Sequence, residues 1–248
     1  MKRSLFFLML TLLSVCTLWG QTATEIIQKA DQLMQGNSSK GELTMTIVRP
    51  KWTREIGLKT WSKGNAYSLT LITDPARDAG TGFLKRDKEL WNWQPTIDRV
   101  IKMPPSMMMQ SWMGSDFTND DLVRESSIVK DYEHRLLGDT TIGEYKAWKL
   151  ELIPNEDAPV VWGRILAYIE KDHYFQLLFK YYDEDGFLIN TMVLSDIKPL
   201  GNRRIPTRLE MIPAENPDQK TVLIYEKMVF DIILDDRFFS LQNLKQLR

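Results

Sequence analysis

The alternation of apolar and polar residues along the chain predicts a protein built mainly from antiparallel strands. Leu43, Met45 and Ile47 alternate with Thr44 and Thr46, which is the period-two pattern of a half-buried strand. Turn residues such as those at 183–186 separate this run from others like it. The further runs are 56–60, 67–71, 83–84, 90–93, 99–103, 132–137, 147–153, 164–170, 176–182, 187–194, 208–212 and 221–230. We therefore expect ten or more strands.

Helical spacing is found in only a few short segments. The segment 22–36 repeats apolar residues at helical intervals, Thr22 and Glu25 have the spacing of a capping box, and Gly36 is a natural stop. Shorter helices are predicted at 104–112, which two prolines open, and at 241–247, which Ser240 can cap. The predicted fold class is α+β: a strongly curved antiparallel sheet with an N-terminal helix and short helices against its inner face.

The N-terminus is typical of a secreted protein. Lys2 and Arg3 precede the apolar run 5–19, which is the arrangement of a secretory signal peptide. We expect residues 1–20 to be removed and 21–248 to form a single domain in the periplasm. Lipid anchoring at Cys16 is the alternative, although the valine before that cysteine fits a lipidation motif poorly.

Composition and charge exclude several kinds of chemistry. Cys16 is the only cysteine, so the mature chain has no disulfide, no thiol nucleophile and no cysteine metal site. Without Lys2 and Arg3 its net charge is near −3, which argues against nucleic acid as the partner. His134 and His173 lie outside any recognisable motif, and the basic residues at 85, 86 and 88 suggest a solvated hairpin turn.

An acidic cluster at 116–121 is better explained by helix capping than by calcium. With Asp116 as the first position, Asp121 stands where an EF-hand loop requires glycine. Thr118 and its neighbours can instead cap a turn leading into Leu122. We therefore expect no catalytic residue, metal or cofactor.

The densest apolar feature is a tract of methionine and tryptophan within 90–122. Methionine is flexible and polarizable, so it suits surfaces that accept irregular apolar shapes. Three consecutive methionines cannot share one face of a helix or strand. Two interpretations stay open: a lid beside an apolar cavity, or ordinary core. The candidate cavity and lid residues are Trp91, Trp93, Met103, Met107, Met108, Met109, Trp112, Met113 and Phe117.

Three segments carry a family resemblance. KELWNWQPTIDRVIKMP (88–104) resembles a strand pair of periplasmic lipoprotein-sorting proteins of the LolA/LolB type. SWMGSDFTNDDLV (111–123) and the ending at 236–244 resemble a larger LolA-like branch of outer membrane lipoprotein-sorting proteins. The resemblance implies a half-open antiparallel β-barrel with short lid helices over an apolar cavity that shields acyl chains. The family's lid-holding arginine lies in an Arg-Pro-Asn motif; the nearest segment here is Lys63-Gly64-Asn65, so that role is not transferred.

The function expected on these grounds is non-enzymatic. A periplasmic carrier would bind acyl chains of lipoproteins or lipids and pass them toward the outer membrane, and it would meet inner- and outer-membrane transport components. The alternative is an envelope module that binds a protein partner of an export or efflux assembly. Co-purified lipid would favour the first function, and a stable complex without lipid the second.

Overall fold

The computed structural model of the protein describes residues 21–87, 89–123 and 127–247. The predictions of a signal peptide at 1–20 and of a lipidation site at Cys16 lie outside these residues. Within them, no helix combines the length and the apolar character needed to cross a membrane.

The N-terminal helix has the capping box that the sequence predicts. Helix α1 spans Ala23–Gln35. The Thr22 hydroxyl accepts a hydrogen bond from the backbone N–H of Glu25 at 3.2 Å, and the Glu25 carboxylate accepts one from the backbone N–H of Thr22 at 3.1 Å. The helix ends at Gly36, whose φ of 68° favours glycine. Ile26 and Ile27 form its buried stripe, which packs against the sheet.

In the part of the chain that the structure describes, thirteen strands form one antiparallel sheet. Each strand pairs with its sequence neighbours except that β1 pairs with β13, and within the described chain β6 and β7 are the two edges. A large open antiparallel sheet with few helices is the architecture that the sequence pattern indicated. The strands are β1 (Ser38–Arg49), β2 (Trp52–Lys63), β3 (Tyr67–Asp74), β4 (Gly82–Arg86), β5 (Glu89–Gln94), β6 (Arg99–Lys102), β7 (Tyr132–Ile142), β8 (Tyr145–Pro154), β9 (Arg164–Glu170), β10 (Gln176–Tyr182), β11 (Leu188–Leu200), β12 (Arg203–Pro213) and β13 (Lys220–Phe230).

The two faces of the sheet carry different covers. Successive side chains of a strand point to opposite faces. In β4, Phe83 joins the main core that includes α1, and this face is here called the inner face. Leu84 points to the outer face, where it packs with residues of the C-terminal helix α3 (Leu241–Gln246). The inner face is covered by α1 and by residues 103–123, here called the inner tract.

The inner tract does not form the helix that the sequence predicts at 104–112. Two single 3₁₀ turns replace it, Pro105–Met107 and Trp112–Gly114, and they are followed by a short helix α2 (Asn119–Val123). The physical reason is that several backbone groups of this segment bond to the returning chain: the carbonyls of Met108 and Gln110 accept from the N–H groups of Asp120 and Asn119. The N–H of Trp112 donates to the carbonyl of Phe117 at 2.8 Å instead of continuing a helix.

Several strands extend beyond their predicted ends. The run at 132–137 continues as β7 to Ile142, because a bulge after Leu136 accommodates Gly138 with a φ of 135°. The run at 208–212 is the second half of β12, which begins at Arg203 and pairs with β11 along its length. Pairing partners distant in sequence decide where these strands end.

Candidate ligand cavity and its cover

The inner tract is a loop with hydrogen bonds between its own segments, and most of its apolar side chains point at the sheet. The backbone N–H of Asn119 donates to Gln110 at 2.9 Å, and its side-chain amide donates to the carbonyl of Met107 at 2.8 Å. Trp112 is fully buried and packs on Phe83 of β4 with ring centroids 5.4 Å apart. The tract is therefore a compact cover with an ordered shape.

An arginine on the sheet holds the tip of the tract. The guanidinium of Arg49, at the end of β1, donates to both carboxylate oxygens of Asp116 at 2.9 and 3.0 Å. It also donates to the carbonyl of Gly114 at 3.1 Å. Thr221 of β13 donates from its hydroxyl to the same carboxylate at 2.7 Å. A bidentate, largely buried arginine–carboxylate pair is a strong and directional contact.

A second arginine supports a strained turn beside this pair. Met113 has a left-handed backbone with a φ of 53°, which is unfavourable for a residue with a β-carbon. Arg54 of β2 donates to the carbonyl of Met113 at 3.2 Å and pairs with Asp78 at 2.7 Å. The amide of Asn190 donates to the carbonyl of Asp116 at 3.3 Å. The tip is thus bound to the sheet by polar contacts from β1, β2, β11 and β13.

Helix α2 connects two parts of the sheet that are far apart in strand order. It packs against β3 and β4. A capping box begins it: the N–H of Thr118 donates to the Asp121 carboxylate at 2.8 Å, and the N–H of Asp121 donates to the Thr118 hydroxyl at 3.1 Å. The other carboxylate oxygen of Asp121 accepts from the indole N–H of Trp162, before β9, at 3.3 Å. The capping account of the acidic cluster is therefore correct at Asp121.

Burial raises the pKa values of two groups in or next to α2, Asp121 and Tyr132. Removal from water raises the pKa of Asp121 to about 6, and the neighbouring Asp120 adds to the rise. Burial also raises the pKa of Tyr132, with Asp120 and Asp121 contributing in the same direction. The Asp121 oxygens accept hydrogen bonds from Thr118 and Trp162. These bonds fix the position of α2, so the burial of this carboxyl group has a structural explanation.

A cavity of about 230 Å³ lies between the tract, α1 and the inner face. Its back wall is apolar and comes from the middle of the sheet. Its other end is polar and comes from β3, β4, α2 and the start of β7. The back wall includes Leu43, Leu58, Met192, Leu209, Met211, Leu223 and Met228, and the polar end includes Ser68, Thr70, Lys85, Asp120, Asp121 and Tyr132.

The nine residues predicted for the cavity and lid lie in four environments. Phe117 lines the cavity. Met103, Met108 and Trp112 are buried in the main core, and Met107 and Met113 pack against it. Met109 is 67% exposed. Trp91 and Trp93 lie on the outer face with α3, because they alternate with Leu90. The structure thus brings six of the nine together beside Phe83, and separates the two tryptophans of β5 from them.

Sequence reasoning missed several residues of this region. Lys85 was expected in a solvated turn, but it is only 4% exposed and lines the cavity. The alternation of side chains along β4 could have predicted this position, because Phe83 and Lys85 lie on the same face of the strand. Arg49, Thr221 and Trp162 had no local signal, since each meets the tract only through distant strand pairing.

Solved structures of several bacterial proteins share this fold. A DUF1329 family protein from Desulfovibrio piger is 23% identical, with a TM-score of 0.80 over 90% of this chain and 97% of its own. A LolA superfamily protein from Nitrosomonas europaea is 24% identical, with a TM-score of 0.78 over 90% of this chain and 100% of its own. A Vibrio parahaemolyticus chain, provisionally described as an outer membrane lipoprotein-sorting protein domain, is 22% identical, with a TM-score of 0.79 over 90% and 98%.

These similarities, with the open antiparallel sheet and its inner cover, define the chain as a protein of LolA-like fold. The resemblance expected from the sequence is confirmed. A comparison with curated proteins found no match. The model of a family described only as "uncharacterized protein" matches residues 64–246, and the chain belongs to that family.

Proposed function

We propose that the protein is a non-enzymatic periplasmic carrier, formed by a single domain at 21–248, that shields acyl chains of lipids or lipoproteins in this cavity. The observation that supports this proposal is that the cavity has an apolar back wall and a cover held at its rim by polar contacts. Each acyl methylene removed from water contributes about 0.8 kcal/mol, so acyl chains need such a wall to cross an aqueous space.

The size of the cavity implies that the cover moves. Ligand pockets commonly have volumes of roughly 300–1,000 Å³. At about 230 Å³ the cavity is smaller than this range, so a ligand with several acyl chains requires displacement of the inner tract. The rim contacts of Arg49 and Asp116 can be exchanged for water when the tract lifts. In this proposal, loading and release correspond to two positions of the tract.

The function is tested by narrowing the cavity. Met192→Trp places a larger side chain on the back wall, whereas Met109→Trp enlarges an exposed residue of the cover that lies outside the cavity lining. We expect Met192→Trp to weaken binding of a fluorescent fatty acid by at least about tenfold, and Met109→Trp to leave it within about twofold. Native mass spectrometry of freshly purified wild-type protein should detect co-purified lipid. Absence of both lipid and probe binding would contradict the proposal.

Binding of a protein partner is the second candidate, and one observation favours it. Strand β7 is an edge of the sheet, and its Leu136 and Leu137 are both exposed. An exposed apolar edge is a surface on which another chain can add a strand. Leu137→Lys should then abolish a stable complex while leaving acyl binding intact. A wild-type protein that forms that complex without binding lipid would favour this second function over the first.

A further inference from the structure

The exposed part of the cavity lining lies far from the tip of the inner tract. Among the described residues that line the cavity, the exposed ones are Gly64 and Asn65, in the turn between β2 and β3. A β-carbon added at Gly64 would meet open space. Arg54, which holds the tip, lies near the start of β2, and Gly64 directly follows its end, roughly 30 Å away along the strand. The cavity therefore meets solvent at the β2–β3 turn.

Three elements surround this opening, which is here called the port. The last turns of α1 contribute Asp31 and Gln35 to the lining, and the turn before β7 contributes Ser127. The backbone N–H of Gly64 donates to the carbonyl of Asn37, just after α1, at 2.8 Å. The β2–β3 turn is thus attached to the end of α1.

A single neutral hydrogen bond joins the other two borders of the port. The side-chain amide of Asn65 donates to the hydroxyl of Ser127 at 3.0 Å, and this contact is exposed to solvent. Ser127 itself is fixed, because its backbone N–H donates to the Asp131 carboxylate at 2.6 Å. An exposed neutral hydrogen bond exchanges for water at little cost in free energy. The port can therefore widen without movement of the inner tract.

The polar end of the cavity lies directly inside the port. Ser68 lines it on β3, and Lys85 is opposite Ser68 in the register of β3 and β4. Ser68, Lys85 and Asp120 already interact with other groups of the protein. These residues therefore form a neck between solvent and the apolar back wall, and their polarity is explained by the nearby opening.

Resting on the carrier function proposed above, we propose that a single acyl chain enters and leaves the cavity through the port while the inner tract stays in place. An apolar cavity of roughly 150 Å³ holds a six-carbon ring. At about 230 Å³ the cavity suits one chain of roughly ten carbons. The headgroup stays at the port, beside the neutral side chains of Gln35, Ser62 and Asn65. A ligand with several chains still requires the tract to move.

The test measures how fast a single chain enters. The probe is ω-bromodecanoic acid, because its bromine quenches the fluorescence of tryptophan, and Trp61 and Trp162 line the cavity. Stopped-flow mixing with the mature protein gives the association and dissociation rate constants, and their ratio gives Kd. A residue at the port changes both rate constants by the same factor, because it acts on passage and leaves the bound state unchanged. A residue of the back wall changes Kd.

Two substitutions at one position change the port in opposite directions. Asn65→Phe places a larger side chain there, and Asn65→Ala removes the hydrogen bond to Ser127. We expect Asn65→Phe to slow association and dissociation by at least about fivefold, and Asn65→Ala to accelerate both by about threefold, the effect of one neutral hydrogen bond. Kd should stay within about twofold in both variants.

Asn202→Phe is the matched control. Asn202 is also an exposed asparagine in a turn between two strands, β11 and β12, and it is not part of the cavity lining. Both rate constants should be unchanged in this variant. A second readout is chain length: the affinity of saturated fatty acids should rise about fourfold per methylene up to roughly ten carbons and then level off, because further carbons lie outside the cavity.

The outcomes separate this inference from the carrier function. Rate constants that respond to neither Asn65 variant, or that respond to Arg49→Met instead, would place entry under the inner tract and overturn the port. A loss of affinity in Asn65→Phe at an unchanged association rate, or an affinity that keeps rising with longer chains, would also overturn it. Each of these results leaves the carrier function standing. Failure of wild type to bind any acyl probe would overturn the carrier function itself.

Discussion

Strand β4 is covered on both faces, and the two covers are held by different forces. On the outer face, the C-terminal segment buries Phe239 and Leu244 completely. Phe239 stacks on Tyr67 of β3 with ring centroids 5.3 Å apart. Gly82 leaves room for the side chain of Leu244, because a β-carbon at position 82 would lie 2.6 Å from the Leu244 methyl group. This cover is fastened by close apolar packing.

The inner tract combines buried anchors with polar contacts at its rim. Trp112 packs deeply, but the tip is held by Arg49 on Asp116, and α2 by Trp162 on Asp121. A hydrogen bond exchanged for water changes the free energy by only about 0.5–1.5 kcal/mol, whereas exposing a large apolar side chain costs about 1.5–3 kcal/mol. In the carrier proposed above, the outer cover therefore stays packed, and the tip of the inner tract, which polar contacts hold, is the part that lifts.

The largest expected effect is on the outer cover. Phe239→Ala should lower the free energy of unfolding by about 3–5 kcal/mol, because it leaves a cavity in a fully packed cluster. Affinity for an acyl probe, measured where the variant is folded, should stay within about twofold. Urea unfolding measures the first quantity, and Phe187→Ala, at a 68% exposed position, is the control. A large loss of affinity in Phe239→Ala would erase the proposed distinction between the covers.

A second experiment divides the methionine run. Met108 is buried in the main core and Met109 is exposed. Met108→Ala should therefore cost about 2–5 kcal/mol of stability, and Met109→Ala less than about 0.5 kcal/mol. Thermal and urea unfolding of the two single variants provide the comparison. Equal effects would mean that the tract does not have the orientation described.

The rim contact of Arg49 should control how often the cover lifts. Arg49→Met removes a charge-assisted bidentate contact and should cost about 1.5–3 kcal/mol, mostly as local opening of residues 107–120. Hydrogen–deuterium exchange should accelerate in that segment and stay unchanged around α3. Arg237→Met removes an exposed ion pair with Asp235 and serves as the control. Uniform acceleration over the whole chain would show that Arg49 stabilises the fold in general.

The smallest effect concerns pH. The folded pKa of Asp121 is about 6, raised from 3.8 by burial. A raised pKa means that its stabilising contribution is complete below the unfolded pKa and is lost as pH rises through the folded pKa. The melting temperature of wild type should therefore fall by a few degrees from pH 4 to pH 7, after the change measured for Asp121→Asn over the same range is subtracted. Parallel curves for the two proteins would contradict the burial of this carboxyl group.

Local signals were sufficient for much of the fold. The capping box at Thr22, the alternating strands and the Ser240 cap of α3 all depend on residues within a few positions of each other, and each is present. The inner tract is the counter-example. Its prolines and methionines indicate a helix locally, but several of its backbone groups bond to the returning chain, as the N–H of Trp112 does to the carbonyl of Phe117.

The candidate site was only partly predictable. That the nine methionine and aromatic residues bind a ligand stays a prediction, and Phe117 alone among them lines the cavity. The alternation in β5 showed that Trp91 and Trp93 share a face, but it could not show which face looks toward the cavity. That choice depends on which side of the sheet receives α3.

The sequence by itself determined the α1 cap, the strand periodicity and the concentration of soft apolar residues at 90–122, because each is a local property of side chains and backbone. Tertiary structure decided what those residues do. Arg49 meets Asp116 across 67 positions, and Trp162 meets Asp121 across 41. Such contacts arise only when the register of thirteen strands brings distant segments together, and that register is set by the packing of the whole sheet.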